Sequence, residues 1–496
     1  MEIDPRAAQI ARLALAMCAR GMDRRFFGRG VQADIAVLAP VALGEGDVPR
    51  GSALEKRKDL LDALAHLDEA GSLLAPGEAD LAAIREAVAL AGDGGLFGSS
   101  SRERLRRALD TCEVLSRRHD CVVANPPYMG SSSFGPFMSR WVKKGYPDVK
   151  SDLFSSFVVR MFDLAKDHGE CGVMSPFVWM FIGSYEKLRN EIIDNRTLTS
   201  LIQLEYSGFA GATVPICTYT FHNSFIKGYK GGYVRLSNFV GASVQAPKAL
   251  EAIKNPDCGW FYRRDAETFR QIPGTPIAYW ASDGLFDAFE AGPLAKKVPV
   301  KKGLDTGDND RFLRYWHEVD FSKLGIGYDS ARSFLQSGSK WAPHDKGGDF
   351  RKWYGNNDWI INWGFDGMEL KASSANLRSP QFYFQRVITW SALSSGRPGF
   401  RLSDQGALSN TAGSSMFPEE KDISSVLAYM NSSVVLKALE LLAPTLNYSA
   451  GPVGSVPLMP DNIDRCPEIS DMCVSISKGD WDSSETSWNF KRHPLV

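Results

Sequence analysis

The residues Asn125-Pro126-Pro127-Tyr128, at the end of the apolar run Cys121-Val122-Val123-Ala124, constrain this chain more than any other feature. Four consecutive apolar residues read as a buried strand. A double proline cannot continue it, because each ring fixes φ and removes an N–H from the ladder. The strand therefore hands over at Asn125 to a turn that carries a side-chain amide first and an aromatic ring last. In α/β sheets ligands sit beyond the carboxyl ends of the strands. An amide, two rigid carbonyls and a ring at such a tip make a site for a flat molecule bearing an amino group.

An exocyclic aromatic amine attacks poorly, since its lone pair is delocalised into the ring. A protein can draw that nitrogen toward tetrahedral geometry by accepting hydrogen bonds from both of its N–H groups. Asn125 Oδ1 can accept one, and the Pro126 carbonyl, held in a set direction, can accept the other. Tyr128 offers a face for stacking, worth about 1–3 kcal/mol per base. Positioning does most of this work, and no covalent intermediate is required of any of the eight cysteines. Asn-Pro and Pro-Pro pairs also punctuate ordinary loops, so the surrounding motifs carry the weight.

In these residues and in the order of what surrounds them, the chain resembles the adenine-specific DNA methyltransferases. The opening Glu2-Ile3-Asp4-Pro5-Arg6-Ala7-Ala8 is similar to that family's acidic second motif. The resemblance implies that Glu2 holds the ribose hydroxyls of S-adenosyl-L-methionine, that Ile3 packs on the adenine of this cofactor, and that Asp4 belongs to the same site. Asp4-Pro5 equally reads as the cap and first residue of a helix. Ser151-Asp152-Leu153-Phe154 through Leu164 to Gly172-Val173-Met174-Ser175-Pro176 resembles the helix and strand that follow the catalytic loop. Tyr185, Leu188, Arg189, Ile192 and Ile193 then fall at helical spacing. Gly208-Phe209, before the alternating run Ile216 to Phe221, resembles the motif whose aromatic stacks on an extruded adenine opposite Tyr128. Alone, Phe209 reads as a buried loop anchor.

More specifically, the chain resembles the PglX methyltransferases of the BREX phage-exclusion systems, with type IIG restriction-modification enzymes as near relatives. Glu2 to Phe27, Asn125 to Gly130, Lys352-Trp353-Tyr354-Gly355-Asn356 and Asp480 to Trp488 carry it, and it runs the length of the chain. It implies N6-methylation of a flipped-out adenine in double-stranded DNA, for phage defence or restriction-modification, with other phage-defence proteins as partners and no membrane. Flipping costs a few kcal/mol. Two other readings stay open: a protein-glutamine methyltransferase, which would have no use for a large aromatic C-terminal half, and a non-catalytic fragment that binds DNA or proteins without a cofactor pocket.

One departure stands out. The glycine-rich turn that precedes the acidic strand in this family is missing, since Met1 adjoins Glu2, and Asp34 lies at the start rather than the end of Ala33-Asp34-Ile35-Ala36-Val37-Leu38. The expectation is an internal fragment of a longer enzyme.

Composition bounds the rest. A chain of 496 residues, 44% hydrophobic and 23% charged, has material for two or three cores. No apolar run approaches the roughly 20 residues needed to span a bilayer. The cysteines form no Cys-x-x-Cys pair and the seven histidines no ligand spacing, so the expectation is no metal, and free thiols in a reducing, cytoplasmic compartment. With 57 basic and 58 acidic residues the formal charge is −1, which does not by itself argue for phosphate binding. The local clusters Arg102/Arg104/Arg106/Arg107, Arg117/Arg118 and Lys296/Lys297/Lys301/Lys302 read as solvated faces.

Strands alternate with helices over residues 1–240, giving the expected fold class: α/β, a doubly wound, mostly parallel, Rossmann-like class I methyltransferase core without its first strand and glycine-rich loop. Leu60, Leu61, Leu64 and Leu67, then Leu81, Ile84 and Val88, predict an inserted helical pair within about 50–92; no chemistry is assigned to it. Residues 241–300 read as a connector. Residues 301–460, with short segments rich in Trp, Tyr, Gly and Asn, read as an α+β target-recognition domain, and 461–496 as the start of a further segment. Gly303-Leu304-Asp305-Thr306-Gly307-Asp308-Asn309, Gln385 to Ser391 and Tyr448-Ser449-Ala450-Gly451 resemble recognition elements suited to base edges.

Overall fold

In the computed structural model, which describes residues 1–91, 95–209, 214–394, 396–443, 447–458, 467–493 and 495, the strand before the double proline is β1 (His119–Ala124). The chain divides into two units, Met1–Glu267 and Thr268–Val496.

In the first unit, Asp4 Oδ1 accepts Arg6 N at 2.8 Å and Pro5 follows at the first helical position, so α1 (Pro5–Met22) begins where local chemistry dictates. The inserted leucines form α2 (Lys58–Ala65), α3 (Leu67–Ala70) and α4 (Glu78–Leu90), and α5 (Gly95–Ser116) leads into β1. Leu60, Leu64, Leu67, Leu81 and Ile84 share one buried cluster with Leu105, Leu115 and Phe137. Each such burial stabilises by about 1.5–3 kcal/mol. The insertion is thus part of a core rather than a loose excursion. After β1 come α6 (Pro136–Gly145), α7 (Leu153–Leu164) and, further on, α8 (Glu186–Asn195).

The sheet of this unit has the order β1-β2-β4-β3-β5-β6, with β2 Ala165–Pro176, β3 Thr197–Gln203, β4 Ile216–His222, β5 Lys230–Arg235 and β6 Phe261–Asp265. Pairs β1/β2 and β3/β5 are parallel; β2/β4, β4/β3 and β5/β6 are antiparallel. The sheet is therefore mixed, not mostly parallel. The reason lies between Gln203 and Ile216, where no helix is found among the described residues. A parallel return needs a crossover element, and without one the chain doubles back as β4.

A second expectation also fails. β1 stands at the end of the sheet, paired only with β2 among the described residues, and it is not buried: Val123 is 77% exposed and Cys121 is exposed. An apolar run marks a strand to be covered on both faces, and here α7 packs on β1 from one side. The segment 33–38 meets Glu2 in a single parallel bridge at Val37, with Glu2 N to Ala36 O at 3.0 Å and Leu38 N to Glu2 O at 2.8 Å.

Among its described residues the second unit holds two four-stranded sheets, β13-β9-β10-β8 and β12-β11-β14-β7. Their strands are β7 Val300–Lys301, β8 Leu313–Tyr315, β9 Trp341–Asp345, β10 Trp359–Asn362, β11 Val387–Trp390, β12 Phe400–Ser403, β13 Leu408–Ser409 and β14 Ser415–Met416. One core gathers Leu313, Ala342, Ile361, Trp363 and Leu408. The other joins Ile388, Trp390, Phe400 and Leu402 to Val426, Leu427, Val435 and Leu439 of the helices Ile423–Met430 and Ser433–Leu442. No single helix among the described residues is long and apolar enough to cross a membrane.

Among the described residues of this unit, the side chains of His344, Asp345 and Arg401 lie inside, none more than 5% exposed. Burial lowers His344 to about 3, raises Asp345 to about 6 and lowers Arg401 to about 10. His344 Nε2 lies 3.0 Å from Asn410 Nδ2, and Ser403 Oγ donates to Asp345 Oδ1 at 2.9 Å.

Candidate active site

The turn after β1 is held by the helix that follows it. Asp152, the N-cap of α7, accepts Met129 N and Phe154 N on the same Oδ1, each at 3.2 Å. Leu153 N donates to Met129 O at 2.9 Å and Ser131 N to Ser151 O at 3.0 Å, so residues 129–131 run antiparallel to 151–153. Desolvation raises the Asp152 carboxyl, and its backbone donors oppose that rise. An aspartate directly before an apolar helix is a legible cap signal; its grip on the Asn125–Tyr128 turn is not.

Within the turn, Pro126 is buried while Asn125, Pro127 and Tyr128 are exposed. Tyr128 Oη donates to Asn125 Oδ1 at 3.2 Å and to Met174 O at 3.3 Å. Its hydroxyl is therefore tied both to the amide and to the end of β2. Desolvation raises its pKa, which keeps it a proton donor.

Asn125 and Pro127 open on a cleft of ≈ 650 Å³ that also receives Glu2, Ile3 and Leu38. Its apolar wall is built from Phe134, Met138, Leu153 and Phe157, and the insertion contributes Asp68, Glu69 and Ser72. That size and mixture suit a small organic ligand held by a few polar anchors. Glu2 Oε1 is occupied by its own chain, accepting Ile3 N at 2.8 Å and Asp4 N at 3.0 Å; among the described residues Glu2 Oε2 accepts no hydrogen bond. Ile3 lies against Gly71, whose φ is +51° and where a Cβ would come within 3.3 Å of Ile3 Cγ2.

The insertion's edge of the cleft is pinned from below. Arg160 on α7, 4% exposed, donates from Nε to Ser72 O at 2.9 Å and from Nη2 to Leu74 O at 3.0 Å and to Leu115 O. Tyr146 Oη donates to Leu73 O at 2.6 Å. One guanidinium thus satisfies carbonyls between α3 and α4 of the insertion and at the end of α5. Sequence reading assigned the insertion no chemistry, and nothing local to Arg160 reveals partners more than 40 positions away.

Not every expected residue lines the cleft. Asp4 is spent on capping α1, Tyr128 stands beside the cleft, and Phe209, 41% exposed, sits in the loop before β4 and outside it. Cys112, Cys171 and Cys217 are buried thiols, pushed up to about 12 by desolvation; Cys466 lies outside the described residues. Arg104, Arg117 and Arg118 are paired with Asp47, Asp34 and Asp167. No three His, Cys, Asp or Glu side chains among the described residues gather as a metal site.

Residues 1–209 match the Eco57I restriction-modification methylase family. The whole chain is 34% identical to 43% of the adenine-specific methyltransferase BrxX of Escherichia coli O9:H4 (strain HS), and 31% identical to 43% of the adenine-specific methyltransferase PglX of Lacticaseibacillus casei (strain Zhang). It thus spans about two fifths of the length of these curated relatives. Among solved structures, the type ISP restriction-modification enzyme LlaGI in complex with a DNA substrate mimic resembles 78% of this chain over 37% of its own, at 11% identity and a TM-score of 0.45.

Proposed function

We infer that this chain belongs to the PglX type of adenine-specific methyltransferases, to which it is similar along its whole length, and that it carries the catalytic turn and cofactor-binding residues of a site-specific N6-adenine DNA methyltransferase. The observation that carries the reading is the cleft shared by Glu2, Ile3, Asn125 and Pro127.

The residues present fit S-adenosyl-L-methionine, which when bound supplies an electrophilic methyl group. Glu2 would hold the ribose hydroxyls through its open Oε2, and Ile3, backed by Gly71, would pack on the adenine. Asp4 contributes by fixing α1 and hence the angle of Glu2. On the substrate side, Asn125 Oδ1 and the Pro126 carbonyl accept the two N–H groups of the target adenine and hold its lone pair toward the incoming carbon. Tyr128 and Phe209 stack on the extruded base, offsetting part of the cost of flipping. The core is a doubly wound methyltransferase sheet without its first strand and glycine-rich turn, a reading supported by the free edge of β1, the exposure of Val123 and the single bridge between Glu2 and Val37. The second unit would receive double-stranded DNA, in phage defence or restriction-modification, alongside other proteins of such a system.

Calorimetric titration with S-adenosyl-L-methionine tests the reading, on this chain and on the same chain extended by the further length its relatives have. Methyl transfer is then measured to adenine-containing duplexes and to glutamine peptides side by side. Cofactor binding with transfer to duplex adenine supports it. Transfer to peptide alone, or no binding even by the extended chain, refutes it.

A further inference from the structure

Arg401 is a charge inside the second unit that no side chain of the protein meets. It alternates along β12 with Phe400 and Leu402, which belong to the core shared with the helices, so its side chain leaves by the other face of the sheet. It is 2% exposed, and among the described residues its guanidinium makes no hydrogen bond, ion pair or ring contact. Asp345 lies near enough to act on its charge. The two nevertheless form no ion pair: Ser403 Oγ donates to Asp345 Oδ1, and Asp345 Oδ2 has no partner. A guanidinium out of water is costly when unpaired, and unlike an ammonium it does not readily give up its proton.

Beside this charge the protein leaves room. Arg401 lines a cleft of ≈ 170 Å³ whose wall is the loop Gly348-Asp349-Phe350-Arg351, entered through Gly347 (φ 94°) and Gly348 (φ 120°). Among the described residues the N–H groups of Gly348, Asp349, Phe350 and Arg351 donate to no acceptor. Successive free N–H groups in a turn form a concavity for anions. The loop is seated: a Cβ on Gly399 would strike the Arg351 carbonyl, Asn356 Nδ2 donates to Asp349 O at 2.8 Å, and Ser391 Oγ donates to Gly348 O at 2.7 Å. At the mouth stands Arg351, its guanidinium 4.8 Å over the Trp481 ring and 4.0 Å from Asp480 Oδ2. The exposed Asp349 shares that mouth, and the half-buried Asp358 acts on both arginines from outside the lining. Water can fill such a space but cannot offset the charge. A carboxylate has two oxygens, enough for one guanidinium. A phosphate has four oxygens and up to two charges, which suits a guanidinium at the floor, N–H groups along the wall and a second guanidinium at the mouth.

We propose that this cleft binds a phosphate group, with Arg401 meeting it from below and the N–H groups of residues 348–351 from the side. No residue of the first unit enters the site, so it stands or falls apart from the methyl-transfer reading. The phosphate is either free or part of a nucleic-acid backbone, and the experiment separates these sources.

Inorganic phosphate is titrated calorimetrically into the intact chain, with chloride holding the ionic strength constant, and into three variants. Arg401→Met removes the charge at similar volume and should weaken phosphate binding about ten-fold or more. Arg351→Gln, at the mouth, should weaken it about two- to five-fold, and Asp349→Asn should tighten it by about the same factor. A short DNA duplex is then bound to the same proteins with and without phosphate. Duplex binding that phosphate competes away and that Arg401→Met weakens supports the site and assigns it to a backbone phosphate. Phosphate binding lost in Arg401→Met with duplex binding unchanged supports the site and assigns it to free phosphate. Absence of saturable phosphate binding by the parent chain overturns the proposal, as does phosphate affinity that Arg401→Met leaves unaltered. Should Arg401→Met fail to fold, phosphate affinity indifferent to both Arg351→Gln and Asp349→Asn overturns it instead.

Discussion

Adjacent residues His344 and Asp345 should cancel each other's effect on stability between about pH 4 and 6, and substituting either should unmask the other. Burial lowers His344 from 6.5 to about 3 and raises Asp345 from 3.8 to about 6. In the native protein Asp345 keeps its proton to about pH 6, while an unfolded aspartate has released it, so this residue favours folding in acid and that contribution is lost as pH rises through 6. His344 stays neutral in the native protein, while the unfolded imidazole takes up a proton below 6.5, so this residue opposes folding increasingly as pH falls. In the overlap each state holds one proton, on Asp345 when folded and on His344 when unfolded, and the pair contributes no slope. Asp345→Asn leaves His344 alone. Relative to the parent, its stability should fall by about 1.4 kcal/mol per pH unit on acidification, reaching about 3 kcal/mol across the window. His344→Gln should show the mirror image. Urea unfolding followed by hydrogen exchange of the β9 segment, repeated from pH 4.5 to 7.5, reads the difference. A variant-minus-parent difference that stays constant with pH would refute the burial reasoning.

On the proposed mechanism Asn125→Ala should lower methyl transfer to duplex adenine by at least about 100-fold, since it would remove an acceptor for the target amine; cofactor affinity, read by calorimetry, should change little. Arg160→Met leaves the carbonyls of Ser72, Leu74 and Leu115 without their shared donor, at about 1–3 kcal/mol for each group left buried and unpaired. A urea midpoint shift worth less than about 2 kcal/mol would contradict that. Gly71→Val combines a positive φ with a Cβ at 3.3 Å from Ile3; it should cost about 1–2 kcal/mol of stability and weaken S-adenosyl-L-methionine binding, both measurable on one preparation.

What was legible in the sequence was what local chemistry decides. Asp4-Pro5 starts a helix and a double proline ends a strand whatever surrounds them, and leucines at helical spacing in the insertion meet a core because their faces demand one. The direction of β4 was not legible, because it depends on what fills the return from β3 rather than on the alternating residues of β4 itself. The exposure of β1 was missed for a related reason: Cys121 to Ala124 state how much cover the strand wants, and only neighbouring elements state how much it receives. The shared cleft of Glu2 and Asn125 could be anticipated from motif order. Its third wall could not, since Asp68, Glu69 and Ser72 reach it through a clamp made by Arg160 from α7. His344 and Asp345 gave no sign either, because burial of two ionisable side chains is decided by tertiary packing and not by their neighbours in sequence.

The hydroxyl of Tyr128 already donates to the oxygen of Asn125 that the proposed substrate amine would use. On the proposed mechanism that oxygen is therefore held in aim before a base arrives, and its second lone pair is what the amine would meet. A purine without an amino group at that position leaves that lone pair without a donor. The tyrosine would thereby set the direction from which a base is accepted, as well as offering a face to stack on.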